Sequence, residues 1–331
     1  MTLHDFGEAE LVLPKVGLAT DEPDRILRYA HDSFVAGVPV ALVTLVEIRG
    51  GAARSVGAQM AVRGDGRYCG FVSGGCTETA VAAEAVQALR KGHDRFLRLG
   101  EGSPFFDIVL PCGGGINLSI HILKSADPVG QVLSSLASRR PATLRYTPGT
   151  GSMELGGEGS CNQSGWFDGT FVTHYQPITR VLICGRPLEL ATTAAVARAA
   201  GYQIDQIDPF TDSSSFASKI DAYSAVALLL HDLDRELPLL QGALRSDPFY
   251  IGALGSRRTH EKRTALLRKH GFGDADIARI KAPIGIFGKA RDASSIALSV
   301  VADIAAARTR GSTGIGSRID VRRRGPDHAW F

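Results

Sequence analysis

Two stretches of this chain place reactive or anion-binding side chains among glycines. Ser73-Gly74-Gly75-Cys76 follows the apolar pair Phe71-Val72 and leads into Thr77-Glu78. Backbone N–H groups at the junction of a strand and a helix point outward, and the helix dipole there favours an anion. A thiol in that place would also have its thiolate form favoured. The other reading of the same stretch is a plain turn that buries a small free thiol, a common fate of cysteine. The second stretch is Gly255-Ser256-Arg257-Arg258, where a serine cap and two arginines enter a helix. That set suits an anion cradle, and equally a capped helix with a solvated basic first turn. A further cysteine stands beside glycines in Pro111-Cys112-Gly113-Gly114-Gly115, again at the mouth of an expected strand. Arg54, closing the loop Glu47–Arg54, is a candidate anion contact.

These groups need elements to hold them, and the hydropathy pattern supplies them. Gly57–Val62 and Arg67–Val72 read as strands joined by Gly64-Asp65-Gly66, the composition of a tight hairpin. Thr79 to Lys91 has apolar residues at Val81, Ala85, Val86 and Leu89, a helical spacing, with Gly92 as its stop. Arg25 to Ala36 is a second amphipathic helix, ended by Gly37. Val40 to Val46 is almost continuously apolar, as a buried central strand is. Phe105–Leu110 and Ile116–Leu123 read as strands on either side of Cys112. From Asp127 to Gln176 the pattern is weak: a helix near Val129–Ser138, short strands at Ala142–Tyr146 and Phe167–Tyr175, and an expected extension of the first sheet followed by a linker.

A second module opens at Thr179–Gly185, a buried strand that meets a glycine, followed by the helix Leu190–Ala200 and the strand Tyr202–Pro209. Asp208 lies 23 positions beyond Gly185, near the spacing at which a dinucleotide-binding βαβ unit holds its ribose acid. The glycine fingerprint is broken, however, because Pro187 stands where a second glycine would admit a pyrophosphate and Leu190 where a small residue packs. Ala225–Leu230 and Phe249–Leu254 are further parallel-type strands, and Ser294–Ala307 is a last helix. Cys184, His231 and Ser256 end successive strands, so they gather on the carboxyl edge of one sheet, where open α/β folds bind ligands.

The chain has 331 residues, 44% hydrophobic, with a net charge of +3. That length suggests roughly two domains, and the small net charge gives no reason to expect a nucleic-acid or membrane role. The cysteines at 69, 76, 112, 161 and 184 are odd in number and contain no C-x-x-C pair, which argues against a disulfide framework and a structural zinc site. No apolar signal core opens the chain and no stretch reaches the roughly 20 apolar residues of a membrane helix, so a cytoplasmic protein with reduced thiols is expected.

Gly57-Ala58-Gln59-Met60, Val72-Ser73-Gly74-Gly75-Cys76, the Cys112-Gly113-Gly114 turn and Tyr250-Ile251-Gly252-Ala253-Leu254-Gly255-Ser256-Arg257-Arg258 together resemble the XdhC/CoxI family. These are xanthine dehydrogenase accessory proteins, related to maturation factors of aerobic carbon monoxide dehydrogenase. The resemblance runs from about Asp24 to Ala307. It implies an α/β protein: an N-terminal extension (1–23), an N-terminal α/β domain (24–176), a C-terminal Rossmann-like domain with a parallel sheet (177–307) and a flexible basic tail (308–331). It also implies a homodimeric, non-catalytic maturation factor. Such a protein binds molybdenum cofactor (molybdopterin), protects it while a cysteine desulfurase helps replace an oxo ligand by sulfur, and passes it to an apo molybdenum hydroxylase such as xanthine dehydrogenase.

On that resemblance the cofactor's phosphate suits Ser73, Gly74 and Gly75, the Gly255-Ser256-Arg257-Arg258 turn and Arg54, with Gly113 and Gly114 beside them. The thiolates of Cys76 and Cys112 are the candidate molybdenum ligands. Two departures argue against NAD(P). The family's glycine–alanine–glycine–histidine turn is here Gly185-Arg186-Pro187-Leu188, and its aspartate–isoleucine–glycine–alanine loop is Phe287-Gly288-Lys289. The competing expectations are an NAD(P)-dependent oxidoreductase using the second domain, and a maturation scaffold that carries no cofactor.

Overall fold

The computed structural model describes residues 12–100, 113–157, 163–288 and 290–314. The expected strand Phe105–Leu110, Cys112, Cys161 and Lys289 lie outside the described residues, as do 1–11 and 315–331. The chain divides into two compact units between Gln176 and Pro177.

The first unit runs β1 (Lys15–Leu18), α1 (Pro23–Val35), β2 (Val40–Arg49), β3 (Gln59–Arg63), β4 (Arg67–Gly70), α2 (Glu78–Lys91), β5 (Arg95–Gly100) and β6 (Gly115–Ile122). It continues with α3 (Asp127–Ala137), β7 (Ala142–Thr147), β8 (Ser152–Leu155), β9 (Gly165–Phe167) and β10 (Thr170–Tyr175). Its larger sheet has six strands in the order β1-β4-β3-β2-β6-β5. β2 is apolar along most of its length because both its faces are covered. Ala41, Val43 and Leu45 pack with Val81, Ala85 and Val86 of α2. Val40 and Leu42 pack with Ile26, Leu27 and Ala30 of α1 and with Val129 and Val132 of α3. Each fully buried leucine in these layers contributes about 1.5–3 kcal/mol. α2 stops where the sequence placed its end: Gly92 takes φ 76°, and its N–H reaches the Ala88 carbonyl at 2.9 Å.

Three differences from the sequence reading have simple causes. β1, in the expected N-terminal extension, pairs in parallel with β4 from Lys15 to Leu18; at four residues it is too short to show a period. β5 was missed because arginines occupy two of its six positions, leaving Leu97 and Leu99 to face the core. Residues 142–175 do not extend the first sheet. They form a separate antiparallel sheet, β8-β7-β10-β9, whose Leu144 and Tyr175 join the α1/α3 core. The Tyr175 hydroxyl donates to Gln59 Oε1 at 2.7 Å, which ties the two sheets together.

The second unit runs β11 (Arg180–Gly185), α4 (Pro187–Ala199), β12 (Gln203–Gln206), α5 (Ser213–Ala217), β13 (Ser224–Leu229), α6 (Leu233–Arg245) and β14 (Tyr250–Ala253). It ends with α7 (Arg257–Lys269), α8 (Asp274–Ile277), β15 (Ile280–Lys281) and α9 (Ala293–Gly314). Five parallel strands lie in the order β12-β11-β13-β14-β15. Alternate residues of β11 feed the two faces. Val181 and Ile183 meet Ala197 of α4 with Val300 and Ile304 of α9. Leu182 and Cys184 meet Phe216 of α5, Leu239 and Leu240 of α6 and Leu267 of α7. This is the doubly wound arrangement expected, with a topological switch between β11 and β13. α9 continues past Ala307, the expected helix end. The segment from Arg308 to Gly314 is therefore helical rather than tail, and the Arg308 guanidinium lies 5.4 Å over the Tyr202 ring.

α7 is anchored by an ion pair inside the protein. The Arg263 guanidinium donates to both carboxylate oxygens of Glu236 on α6 and, at 2.8 Å, to the Leu254 carbonyl at the end of β14; both side chains are 1% exposed. Removing one member strands the other without water. Arg263→Ala is expected to cost about 3–5 kcal/mol in chemical denaturation, whereas the paired change Arg263→Met with Glu236→Leu recovers most of that loss. Equal losses in the single and paired variants would contradict this account.

Candidate functional site

In the larger sheet of the first unit β2 and β4 both run antiparallel to β3, so their carboxyl ends share one end of the sheet. β6 runs antiparallel to β2 and begins there, with Arg49 opposite Gly115. The topology thus gathers the loop after β2, the turn after β4 and the glycines before β6. The contact between the first and last of these is backbone on backbone. A methyl group on Gly114 would stand 2.2 Å from the Gly51 carbonyl oxygen and 2.6 Å from that of Arg49. Only glycine permits that approach. On the other side Gly74 meets Ala53, whose Cβ lies 3.0 Å from where a side chain would begin.

The turn itself is organised by Glu78. Its carboxylate is 1% exposed. Oε1 accepts the N–H groups of Val72 at 3.0 Å and Ser73 at 2.8 Å. Oε2 accepts the Ser73 hydroxyl at 2.8 Å and the Thr77 N–H at 3.2 Å. Burial pushes the Glu78 carboxyl up, but the N–H and hydroxyl of Ser73 and the other amides outweigh it and hold it below the usual glutamate range. Gly74 and Gly75 follow at φ 88° and 106°, a left-handed path that carries the chain around the carboxylate. Cys76 ends the path exposed to solvent, and nothing lies within 4 Å of the position of a Gly75 side chain.

The structure brings Arg54, Ser73, Gly74, Gly75, Cys76, Gly113 and Gly114 to this one end of the first unit. Cys112 lies outside the described residues. Ser73 is not free to take an anion, since its hydroxyl donates to Glu78 and accepts the Thr77 N–H at 3.1 Å. Arg54 places Nη1 2.9 Å from Asp21 Oδ2, leaving its buried Nε without a protein partner. Sequence reasoning missed Arg49, whose buried Nε is likewise unpartnered and whose Nη2 reaches the Leu99 carbonyl only at 3.5 Å. It also missed Glu78, although an acid in the first helical position just after the glycines was the available signal. Among the described residues no group of three or more His, Cys, Asp and Glu could hold a metal. A cavity of about 300 Å³ opens at the other end of this sheet, beside Asp94, Lys124, Tyr146 and Gly151, and touches none of these groups.

Gly255, Ser256, Arg257 and Arg258 belong to the second unit, on the carboxyl edge of its sheet. Ser256 caps α7, accepting the Thr259 N–H at 3.2 Å, and both arginines are exposed. Pro187 is the first residue of α4 and brings no N–H to that turn. Asp208 Oδ1 accepts the Phe210 N–H at 2.7 Å, capping its own turn.

An α/β chain with a glycine–cysteine turn on one unit and a doubly wound parallel sheet in the other is thus defined. The XdhC and CoxI family model matches residues 34–100, and the model described as the XdhC Rossmann domain matches residues 181–304. The molybdenum cofactor insertion chaperone PaoD of Escherichia coli (strain K12) is 50% identical over 295 residues, 89% of this chain and 92% of PaoD. The uncharacterized protein YqeB of the same organism is 27% identical over 282 residues, 84% of this chain but 45% of that protein. A Bacillus halodurans crystal structure described as a xanthine dehydrogenase shares the fold, with a TM-score of 0.67 at 19% identity over 86% of this chain and 96% of that one. The chain belongs to the XdhC and CoxI family.

Two outcomes follow from this geometry. Cys69 and Cys184 are buried, and burial pushes both thiols up to about 11, whereas Cys76 is exposed. Brief labelling of native protein with a maleimide, mapped by mass spectrometry, should modify Cys76 at least about tenfold faster than either. Because the Glu78 carboxyl is depressed in the folded state, its stabilisation is complete above the unfolded value and lost as pH falls through the folded one. Hydrogen exchange at Ser73 and Thr77 should therefore stay slow through the ordinary glutamate range and rise only below it.

Proposed function

We propose that this protein is a carrier of molybdenum cofactor, holding the molybdopterin-type cargo at the Cys76 end of the first unit. The observation that supports this most is the donor set: an exposed thiol on a two-glycine turn and, nearby, two arginine Nε groups that lack a partner among the described residues. The cargo offers a soft metal centre and a phosphate, and the residues fit both. Cys76 is the candidate thiolate ligand or guard for molybdenum, joined in the proposal by Cys112. Arg49 and Arg54 would face the phosphate, and Gly74, Gly75, Gly113 and Gly114 let backbone approach closely. The Gly255-Ser256-Arg257-Arg258 turn is a further anion cradle on the second unit. The 50% identity to an insertion chaperone supports the same class of cargo.

The carrier acts in the cytoplasm as a homodimer. It protects the cofactor during sulfuration with a cysteine desulfurase, and delivers it to an apo molybdenum hydroxylase such as xanthine dehydrogenase. It carries the cofactor rather than turning over with it. NAD(P) is not its ligand, for Pro187 removes an amide and Asp208 already caps its own turn.

Protein purified from a molybdenum-replete host should carry molybdenum and release a fluorescent oxidised pterin, and Cys76→Ala should lower both by about tenfold or more. Unchanged loading in Cys76→Ala removes the thiol from the site. Micromolar NAD or NADP binding with spectral turnover would instead favour an oxidoreductase.

A further inference from the structure

We infer that Glu78 is the positioning residue for the Cys76 turn, its carboxylate holding together the two ends of the segment that precedes α2. A helix start that follows a glycine turn invites an external phosphate, because its first N–H groups have no partner within the helix. The Glu78 carboxylate takes N–H groups on either side of the glycines just before that start. The Val72, Ser73 and Thr77 N–H groups all point at one carboxylate belonging to the chain itself. The Ser73 hydroxyl closes the ring by donating to Glu78 and accepting from Thr77. Four hydrogen bonds to a single buried charge fix both ends of the segment from Ser73 to Thr77. The residues between them, Gly74, Gly75 and Cys76, have no freedom to fold inward and stay presented to solvent.

Two consequences follow. The Val72, Ser73 and Thr77 amides are not open to an external anion, so recognition of a cargo phosphate is left to the other donors of the site, the arginines among them. The Cys76 thiol is presented by a rigid frame rather than by a mobile loop. This second consequence rests on the cargo-site reading above, whereas the role of the carboxylate does not.

Hydrogen exchange of the full chain tests it, comparing wild type, Glu78→Gln and Glu78→Ala. Gln keeps the acceptor toward Val72 and Ser73 but offers Thr77 a donor, so loss of protection should be graded. Exchange at Ser73 to Thr77 should quicken by about tenfold in Glu78→Ala and less in Glu78→Gln, with β2 and β3 unchanged. Sodium formate at roughly 0.3 M should restore protection in Glu78→Ala by filling the vacated place, whereas formamide and sodium chloride should not. Cys76 alkylation should shift by about threefold or more and return with formate. Turn exchange within twofold of wild type in Glu78→Ala, or equal rescue by formamide, overturns the inference. If Glu78→Ala fails to fold, a Glu78→Gln variant with wild-type turn exchange overturns it equally. Loosening and formate rescue with unchanged molybdopterin affinity would uphold the role of Glu78 and count against the Cys76 turn as the cargo site.

Discussion

The buried carboxylate of Glu78 is the interaction on which the proposed site depends. A charge at 1% exposure is tolerable only when hydrogen-bonded, and its four donors come from three residues of one turn, Val72, Ser73 and Thr77. The dependence is mutual, because the same donors would be buried or strained orphans without the carboxylate. Two left-handed glycines then make the path around it possible. Replacing either glycine strains the path, and removing the acid leaves the path without its centre. Thus one side chain converts a flexible composition, Ser-Gly-Gly, into a defined shape.

The second unit solves a related problem differently. Its glycine turn, Gly255-Ser256, precedes α7, and there the cap is the Ser256 hydroxyl rather than a carboxylate. Order comes from behind, through Arg263, which binds Glu236 of α6 and the carbonyl of Leu254 one residue before the turn. In the first unit the internal charge is negative and takes the N–H groups of Val72, Ser73 and the N-cap residue Thr77. In the second it is positive, lies a turn and a half into the helix, and leaves the amides of Arg257 and Arg258 without a protein acceptor in the cap. The two turns look alike as sequence, but one is centred on a buried carboxylate and the other on a serine cap.

The contrast also explains what was legible in the sequence. The core elements were, because burial on two faces writes itself as apolar runs: β2, β11 and β13 are almost uninterrupted. Helix stops at Gly37 and Gly92 were legible because a left-handed residue after a helix is usually glycine. Short or edge elements were not. β1 has four residues and β15 two, and α6 holds Pro238 inside it, a residue that ordinarily argues against a helix. For the candidate site, residue types and spacing picked out groups that the fold brings to one end of the first unit, whereas the state of each donor was invisible. Ser73 and Arg54 read as free anion contacts and prove to be engaged by Glu78 and Asp21. Arg49 fell within the loop Glu47–Arg54, and the unpartnered state of its Nε among the described residues appears only once Leu99 and Gly114 are placed around it.

That distribution of free and engaged donors bears on what a carrier must do. Affinity among related complexes is set mostly by how fast the ligand leaves, and a carrier that never releases is a sink. If the Val72, Ser73 and Thr77 amides were open, a phosphate would gain three charge-assisted hydrogen bonds in a part-buried place, each worth about 1.5–3 kcal/mol. Glu78 withholds those bonds and sets a negative charge behind the turn. Among the described residues, what remains for a cargo includes one exposed thiol, two arginine side chains, one of them shared with Asp21, and glycine backbone. On the proposed reading this is a site built to hold by a metal–sulfur contact that a receiving protein can replace, with the strongest anion grip in the turn reserved for the chain's own carboxylate.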